Sequence, residues 1–411
     1  MKPFFPYIIC ICLVCACSQN SSRKDGQTVY ESIGPLEILK PVPDSTEIKP
    51  GLKGYNIPMV DLNHRSEMHV VIDRDKNQYL GHPTTLLLDD GKTMIVVYPK
   101  GHGKGSIVMK RSLDGGLTWS ERLPTPPTWE TSKEVPTLYE TTDPTGKKRL
   151  ILFSGLYPAR RAISDDQGET WGELESMGDW GGVVVMADMI RLKDDNYMAL
   201  FHDDGRFIQD ERKRTGIRTI YKTISGDGGL TWSKPEGIIT RKDVGPCEPG
   251  LVRSPDGNQI AMLIRENLRV ANSLIIFSDD EGETWTKPVE LPSTLTGDRH
   301  QAVYTGDGRL LISFRDHSPK TEPDSPTEGD WVAWVGSYEN LQTGHPGQYR
   351  IRIKDNTKGY DCAYPAVELL PDGTIMATTY GHWDEGEEPY ILGVRFKMTD
   401  IDSLATKKEN K

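Results

Sequence analysis

Between about residue 79 and residue 397 the chain alternates short apolar runs with glycine-centred turns. The clearest pairs of runs are 83–98 (PTTLLLDDGKTMIVVY), 136–153, 183–201, 249–265, 302–315 and 365–380. Each run is only four to eight residues long, rich in Val, Ile, Leu, Thr and Tyr, and closed by Asp-Gly or a similar pair. That is the pattern of antiparallel hairpins, and apolar runs too short for helices read as buried strands. Helix signals are scarce. Six hairpins, each followed by further strand-like sequence, predict an all-β fold of six four-stranded units.

One octapeptide sets the spacing of those units. SLDGGLTW (112–119), SDDQGETW (164–171), SGDGGLTW (225–232) and SDDEGETW (278–285) all read Ser-x-Asp-x-Gly-x-Thr-Trp. Successive copies start 52, 61 and 53 residues apart, close to the repeat length of a propeller blade with loop insertions. Within each copy an Asp can accept from neighbouring backbone N–H groups, a Gly supplies positive φ, and Thr-Trp returns to a strand. The octapeptides are therefore expected to fold turns and to mark register, with the chemistry elsewhere. Hairpins five and six lack a complete copy. The apolar stretch 68–72 (MHVVI) is expected to supply the outermost strand of the last blade and so close the ring without a free edge.

Composition adds an address. The chain opens MKPFFPYIICICLVCAC, one Lys and then an apolar run too short for a comfortable membrane span. It reads as a secretion signal, and its end is similar to a bacterial lipobox, which makes Cys17 the expected lipidation site. The expected organisation is a lipoprotein signal peptide (1–17), a tether and N-terminal extension (18–54), one six-bladed propeller domain (55–400) and a C-terminal tail (401–411). This implies export to the periplasm or to the outer-membrane or cell surface, on a lipid anchor, as a monomer. Four of the six cysteines lie in the leader, leaving Cys247 and Cys362 either to pair or to stay as free thiols. No metal-ligand or cofactor motif occurs, and a net charge of −11 argues against nucleic acid as a partner. An acidic substrate must then be met by a local basic site.

The turn glycines Gly91, Gly257, Gly308 and Gly373 serve as anchors for comparing blades. His82, Glu248, Arg299 or His300, and Tyr364 then fall just before the inner strands. Lys100, Arg265, Arg315 and His382 fall just after the second strands. In a propeller both columns lie at one end of the inner strands and surround the axis, so this ionisable ring is the candidate site. Arg265 and Arg315 either clamp a carboxylate or pair with Glu266 and Asp316 beside them. Tyr364 either packs at the axis or acts as a nucleophile if a carboxylate takes its proton, with Glu248 the candidate partner. His202, Asp188, Asp203 and His382 are further rim residues without an assigned role.

With these residues in view, the chain resembles the sialidase (neuraminidase) superfamily: the octapeptides are similar to its Asp boxes, and the likeness covers about 79–397. The resemblance implies that Tyr364 and Glu248 form the nucleophile and that Arg265 and Arg315 are two members of an arginine triad holding the substrate carboxylate. Most glycosidases work with a pair of carboxylates, and the Tyr nucleophile of sialidases is an exception to that rule. Two departures stand out. Gly81-His82-Pro83 occupies the place of the family's Arg-Ile-Pro, and the supporting Glu expected around Tyr380 is missing. The loop 99–104 (PKGHGK) also carries no carboxylate where the acid/base Asp is expected.

Loss of an arginine together with its partner implies a different acidic sugar. Lys100, Lys104, Arg299 and His300 join the substrate-binding candidates, and His82 or His102 is expected to replace the Asp. The leading expectation is an exo-acting glycosidase that releases a terminal acidic sugar from an acidic glycan, without a cofactor. A uronate-directed lyase or hydrolase using His or Tyr, and a carbohydrate-binding propeller without turnover, fit the same ring.

Overall fold

Each hairpin seen in the sequence forms the inner two strands of a blade, and six blades close around one axis. The computed structural model describes residues 42–409 apart from 44–45 and 209–211, together with the short strands Arg23–Lys24, Gln27–Thr28 and Ile38–Leu39. The leader 1–17 with Cys17 lies outside the described residues. The inner strands are Thr84–Leu87, Pro136–Thr142, Val183–Arg191, Pro246–Arg253, Gly297–Tyr304 and Ala366–Leu369.

The second strand of each blade explains why the apolar runs are continuous. Side chains alternate between the two faces of a strand, and in a propeller both faces meet a neighbouring blade. Met94, Val96 and Tyr98 of Met94–Pro99 pack towards the sixth blade with Ile72, Met376 and Ile391, whereas Ile95 and Val97 pack towards the second with Leu138, Leu150 and Leu152. Ile151 and Phe153 then face Ala199 and Phe201 of the third blade. One such apolar cluster lies between every pair of adjacent blades, and full burial of a Leu, Ile or Phe side chain there contributes about 1.5–3 kcal/mol.

The ring closes as the 68–72 pattern predicts. His69–Asp73 is the outer strand of the sixth blade, antiparallel to Tyr390–Lys397, with Val71 opposite Leu392. A second clasp has no sequence signal of its own: Met59–Asp61 adds in parallel to Tyr349–Lys354 as a fifth strand of the fifth blade. The first blade keeps three strands. Its fourth is reduced to the bonds Ser120 N–H to Arg111 O (2.8 Å) and Leu123 N–H to Met109 O (2.8 Å), because the prolines that follow carry no donor.

Residues 401–409 of the expected tail belong to the helix Met398–Glu409. Met398, Ile401, Leu404 and Ala405 recur at helical spacing and pack on the cluster between the fifth and sixth blades.

The octapeptides fold as turns. In the second copy Ser164 Oγ donates to Asp166 Oδ1 (2.8 Å), Gly168 N–H donates to Ser164 Oγ (2.8 Å), and Asp166 accepts from Thr170 N–H (2.9 Å) and Thr170 Oγ1 (2.5 Å). The other three repeat the pattern. These carboxylates are engaged by their own turns. Cys247 and Cys362 are buried free thiols.

Candidate active site at the propeller axis

A repeated backbone device aims side chains at the axis. His82, Glu248, Arg299 and Ala363 (just before Tyr364) have φ of 54°, 45°, 58° and 54° at the starts of four inner strands. In the fourth and fifth blades this coincides with bulges, between Cys247 and Gly250 and between Asp298 and Gln301. Left-handed non-glycine residues are costly and cluster where a structure must present a particular group. Here they turn Glu248 and Arg299 inward.

Tyr364 and Glu248 meet from the sixth and fourth blades. Tyr364 Oη donates to Glu248 Oε1 at 2.5 Å, and Arg265 Nη1 donates to the same oxygen at 2.8 Å. Burial opposes the charge on Glu248, yet Arg265 and the tyrosine hold its pKa down at about 2. Burial and Glu248 together push the Tyr364 phenol well above its ordinary value. The pair is thus a neutral phenol hydrogen-bonded to an ionised carboxylate, with Glu248 Oε2 lacking a hydrogen-bond partner among the described residues.

Arg265 and Arg315, expected to clamp a substrate carboxylate, face a protein carboxylate that the blade comparison does not single out. Asp298 is fully buried. Its Oδ1 lies 3.0 Å from Arg265 Nε and 2.6 Å from Arg269 Nη2; its Oδ2 lies 2.9 Å from Arg315 Nε and 2.5 Å from Arg315 Nη2. Arg315 Nη1 is also used, on Tyr360 O (2.6 Å) and Cys362 O (3.0 Å). Burial opposes ionisation of Asp298, but Arg265 and Arg315 hold its pKa well below the usual carboxylate range. Arg265 and Arg315 therefore share a buried internal anion. Neither pairs with its sequence neighbour: Glu266 accepts the N–H groups of Gly245, Leu268 and Val270, and Asp316 pairs with Arg350.

The place left by the missing arginine is filled. A Cβ on Gly81 would stand 2.6 Å from the Tyr79 ring and 3.4 Å from that of Tyr380, so those two tyrosines occupy the volume. Beside them Asp361 gathers four partners. Tyr79 Oη donates to its Oδ1 (2.7 Å), Tyr380 Oη approaches the same oxygen (3.4 Å), His102 Nδ1 lies 3.2 Å from Oδ1, and His382 Nε2 lies 3.0 Å from Oδ2. Burial would raise the Asp361 pKa, but hydrogen bonds from His102, Tyr79 and His382 lower it.

His82 is buried beneath this group, its ring 4.4 Å from both Tyr364 and Tyr380 and 4.8 Å from His102. Its Nδ1 accepts from Gly103 N–H (3.1 Å) and its Nε2 faces Tyr380 Oη (3.2 Å). Burial and His102 push its pKa well below the ordinary value. A neutral ring with both nitrogens engaged packs and orients its neighbours, and of His82 and His102, the two expected to replace the Asp, it is the buried one. His102, by contrast, has a side chain 65% exposed at the tip of its loop.

Other candidates separate clearly. Lys100 and Lys104 are exposed on the same loop as His102. His300 points away from the axis: the bulge ending at Gln301 reverses the simple alternation, so Arg299 turns inward while His300 is buried, stacks on Phe314 at 5.1 Å and bonds Leu295 O at 3.0 Å. Expected among the substrate-binding residues, it is instead turned into the packing between strands. Burial holds its pKa near 4. His202 Nδ1 accepts from Glu248 N–H at 3.4 Å, and Asp203 accepts the N–H groups of Gly205, Phe207 and Ile208.

Below Tyr364 the axis holds a cavity of about 180 Å³, lined among others by Arg299, Tyr139, Gln301 and Glu368. Arg299 is 5% exposed, sits 5.8 Å from the Tyr364 ring centre and has an Nη1 without a hydrogen-bond partner among the described residues. Burial raises the pKa values of three surrounding carboxyls: Glu134 to about 8, Glu368 to about 7 and Asp188 to about 6. These groups keep protons in the fold that the unfolded chain releases at roughly pH 4 to 4.5. The contribution of these carboxyls to stability is therefore expected to fall as pH rises from about 5 to about 8, most visibly above about pH 6.5, because below it the buried His82, His202 and His300, with lowered pKa values, contribute the opposite slope. Glu134→Gln should flatten that slope in thermal unfolding curves recorded across the range; an unchanged slope would refute the assignment.

Comparison with known proteins places these observations in a family. A family model described as BNR repeat-like domain matches residues 66–375. A sialidase of Clostridium perfringens is 26% identical over 271 residues, a match spanning 62% of this chain and 61% of that protein, so the chain covers under two thirds of that relative's length. A solved structure of a protein of unknown function from Dyadobacter fermentans superposes with a TM-score of 0.62 at 16% identity, over 80% of this chain and 97% of the other. The NanB sialidase of Streptococcus pneumoniae does so with a TM-score of 0.57 at 14% identity, over 80% of this chain and 70% of that one. At such identities the structural likeness establishes a shared fold.

Proposed function

We propose that this chain, which belongs to the BNR repeat-like domain family and carries the sialidase fold, is an exo-acting glycoside hydrolase that releases a terminal acidic sugar with Tyr364 as nucleophile. The observation that carries this reading is the 2.5 Å hydrogen bond from Tyr364 Oη to the ionised Glu248. An unassisted phenol is a poor nucleophile because it ionises at about pH 10. A carboxylate within hydrogen-bond reach takes the proton as the oxygen attacks, which is the required arrangement for covalent catalysis. Arg265 keeps Glu248 charged and in place before the attack.

Tyr364 Oη attacks the anomeric carbon, its proton passes to Glu248, and the glycosidic C–O bond breaks with a proton delivered to the departing oxygen. Water then cleaves the tyrosyl–sugar bond and Tyr364 recovers its proton from Glu248. Two inversions at one carbon give net retention.

The acidic-sugar reading is supported by the local excess of cations in a chain of net charge −11. Because Asp298 already occupies Arg265 and Arg315, a substrate carboxylate would be met chiefly by Lys100 and Lys104 on the rim and by the field of the axial arginines. The test is incubation with sialylated, Kdn-bearing and uronate-bearing oligosaccharides, followed by mass spectrometry. Release of one acidic sugar with uptake of one water is expected. An unsaturated product absorbing in the near ultraviolet would mean elimination, and binding without release would mean a carbohydrate-binding propeller; either outcome overturns the hydrolase reading.

A further inference from the structure

The loop that lacks the expected acid/base aspartate carries His102 instead, and its geometry is tightly specified. Backbone bonds pin it at both ends, Lys100 N–H to Ser106 O (3.0 Å) and Gly105 N–H to Ser132 O (3.3 Å), while Gly103 N–H reaches His82. Gly101, Gly103 and Gly105 have φ of 151°, 66° and 110°. Only the glycine backbone makes this closed loop cheap, and its product is a histidine held out at the mouth of the site.

The hydrogens around that histidine can be assigned from its partners. Asp361 is an acceptor on both oxygens, and Tyr79 donates its single hydroxyl hydrogen to Asp361 Oδ1 at 2.7 Å. The 2.7 Å contact between Tyr79 Oη and His102 Nδ1 must then run from the imidazole to the phenol oxygen. Nδ1 carries a hydrogen, shared towards Tyr79 and Asp361, and Nε2 is the free position. His382, itself bonded through Nδ1 to Glu387 O at 3.0 Å, fixes the other oxygen of Asp361. A base oriented by a carboxylate through its far nitrogen is the arrangement by which a histidine moves protons at its near nitrogen.

We propose that His102 is the acid/base residue of this site, exchanging its proton at Nε2, and that Asp361 with Tyr79 is the positioning group that fixes its orientation and tautomer. The assignment rests on the reading of Tyr364 as nucleophile. As the glycosidic bond breaks, the Nε2 proton passes to the leaving oxygen. In the second step Nε2 takes a proton from the attacking water, whose oxygen forms the new bond to the anomeric carbon, and the starting protonation is restored. Asp361 stays ionised throughout. The site thereby meets the chemical requirement left by the absent aspartate with a residue from the same loop, oriented by a carboxylate from the sixth blade.

The test has two arms. In the first, Asp361→Asn and His102→Ala are compared with wild type on a natural alkyl-linked oligosaccharide and on the 4-methylumbelliferyl glycoside of the same sugar, whose leaving phenol needs little protonation. Both variants should lose about 10²–10⁴-fold in kcat/KM, which reports cleavage of the glycosidic bond, on the oligosaccharide, but about tenfold or less on the umbelliferyl glycoside, where kcat and KM fall together because water attack has also lost its base. Equal losses on both substrates would overturn the proposal.

In the second arm, long-range ¹H–¹⁵N spectra of the unliganded wild-type protein should show neutral His102 protonated at Nδ1. A neutral ring protonated at Nε2 alone would overturn the positioning role even if a variant failed to fold. A chain inactive on every sugar would count against Tyr364 as nucleophile, yet the tautomer readout would still decide the role of Asp361.

Discussion

Asp298→Ala is expected to destabilise the propeller by about 3–5 kcal/mol, the cost of leaving a buried ion pair without one partner. Arg265, Arg269 and Arg315 all converge on this one carboxylate, which is fully buried and cannot be replaced by water without rearrangement. Three blades are joined there: Arg265 and Arg269 belong to the fourth, Asp298 and Arg315 to the fifth, and Arg315 reaches the backbone at Tyr360 and Cys362 leading into the sixth. Asp298→Asn keeps the volume and should still cost most of that amount, because the charge is what the guanidinium groups need. Because the folded pKa of Asp298 is depressed, its contribution is present above the unfolded value of about 4 and is lost as pH falls below it. Unfolding followed in denaturant at about pH 7 and about pH 3 should show the gap between wild type and Asp298→Ala narrowing towards acid. A variant as stable as wild type at neutral pH would contradict the buried-hub assignment.

The second large effect belongs to chemistry. Tyr364→Phe removes one oxygen and the hydrogen bond to Glu248, while Glu248 keeps Arg265 as a partner. The fold is expected to survive, with stability changed by about 1 kcal/mol or less relative to the hydrogen bond lost. Turnover of the released sugar should fall by about 10⁴-fold or more, as expected when a nucleophile is deleted from a site that acts as a unit. Glu248→Gln should fall by a comparable factor, and the double variant should be little worse than either single one. Independent, multiplying losses would mean that the two residues act separately.

Much of the architecture is readable because the octapeptide is a register mark and because continuous apolar runs such as MIVVY and LILF match strands buried on both faces. The closing strand at 68–72 follows from the same logic, since an unpaired last blade would leave an open edge. The Tyr364–Glu248 pair and the two arginines are reachable by comparing positions around turn glycines.

That comparison fails where the backbone is irregular. It assumes uniform alternation, so it cannot tell Arg299 from His300 across a bulge. It also passes over Asp298, which lies one residue outside the compared column yet determines what both arginines bind. Asp361 is hidden for a different reason: its partners Tyr79, His102, Tyr380 and His382 come from separate stretches that only ring closure brings together. Tyr79 and Tyr380, to which the blade comparison gives no role, are what fill the space beside Gly81. The helix after Met398 escapes the pattern because its apolar stripe is only four residues long within a polar ending.

The most direct measurement is to trap the glycosyl-enzyme. A ring-fluorinated, activated acidic sugar slows cleavage of the covalent intermediate more than its formation, so the protein should gain the mass of one sugar. Peptide mapping is expected to place that mass on Tyr364 in the wild type and to find none in Tyr364→Phe. A sugar attached to another residue, or full turnover in the phenylalanine variant, would contradict the assignment of Tyr364 and Glu248 as the nucleophilic pair.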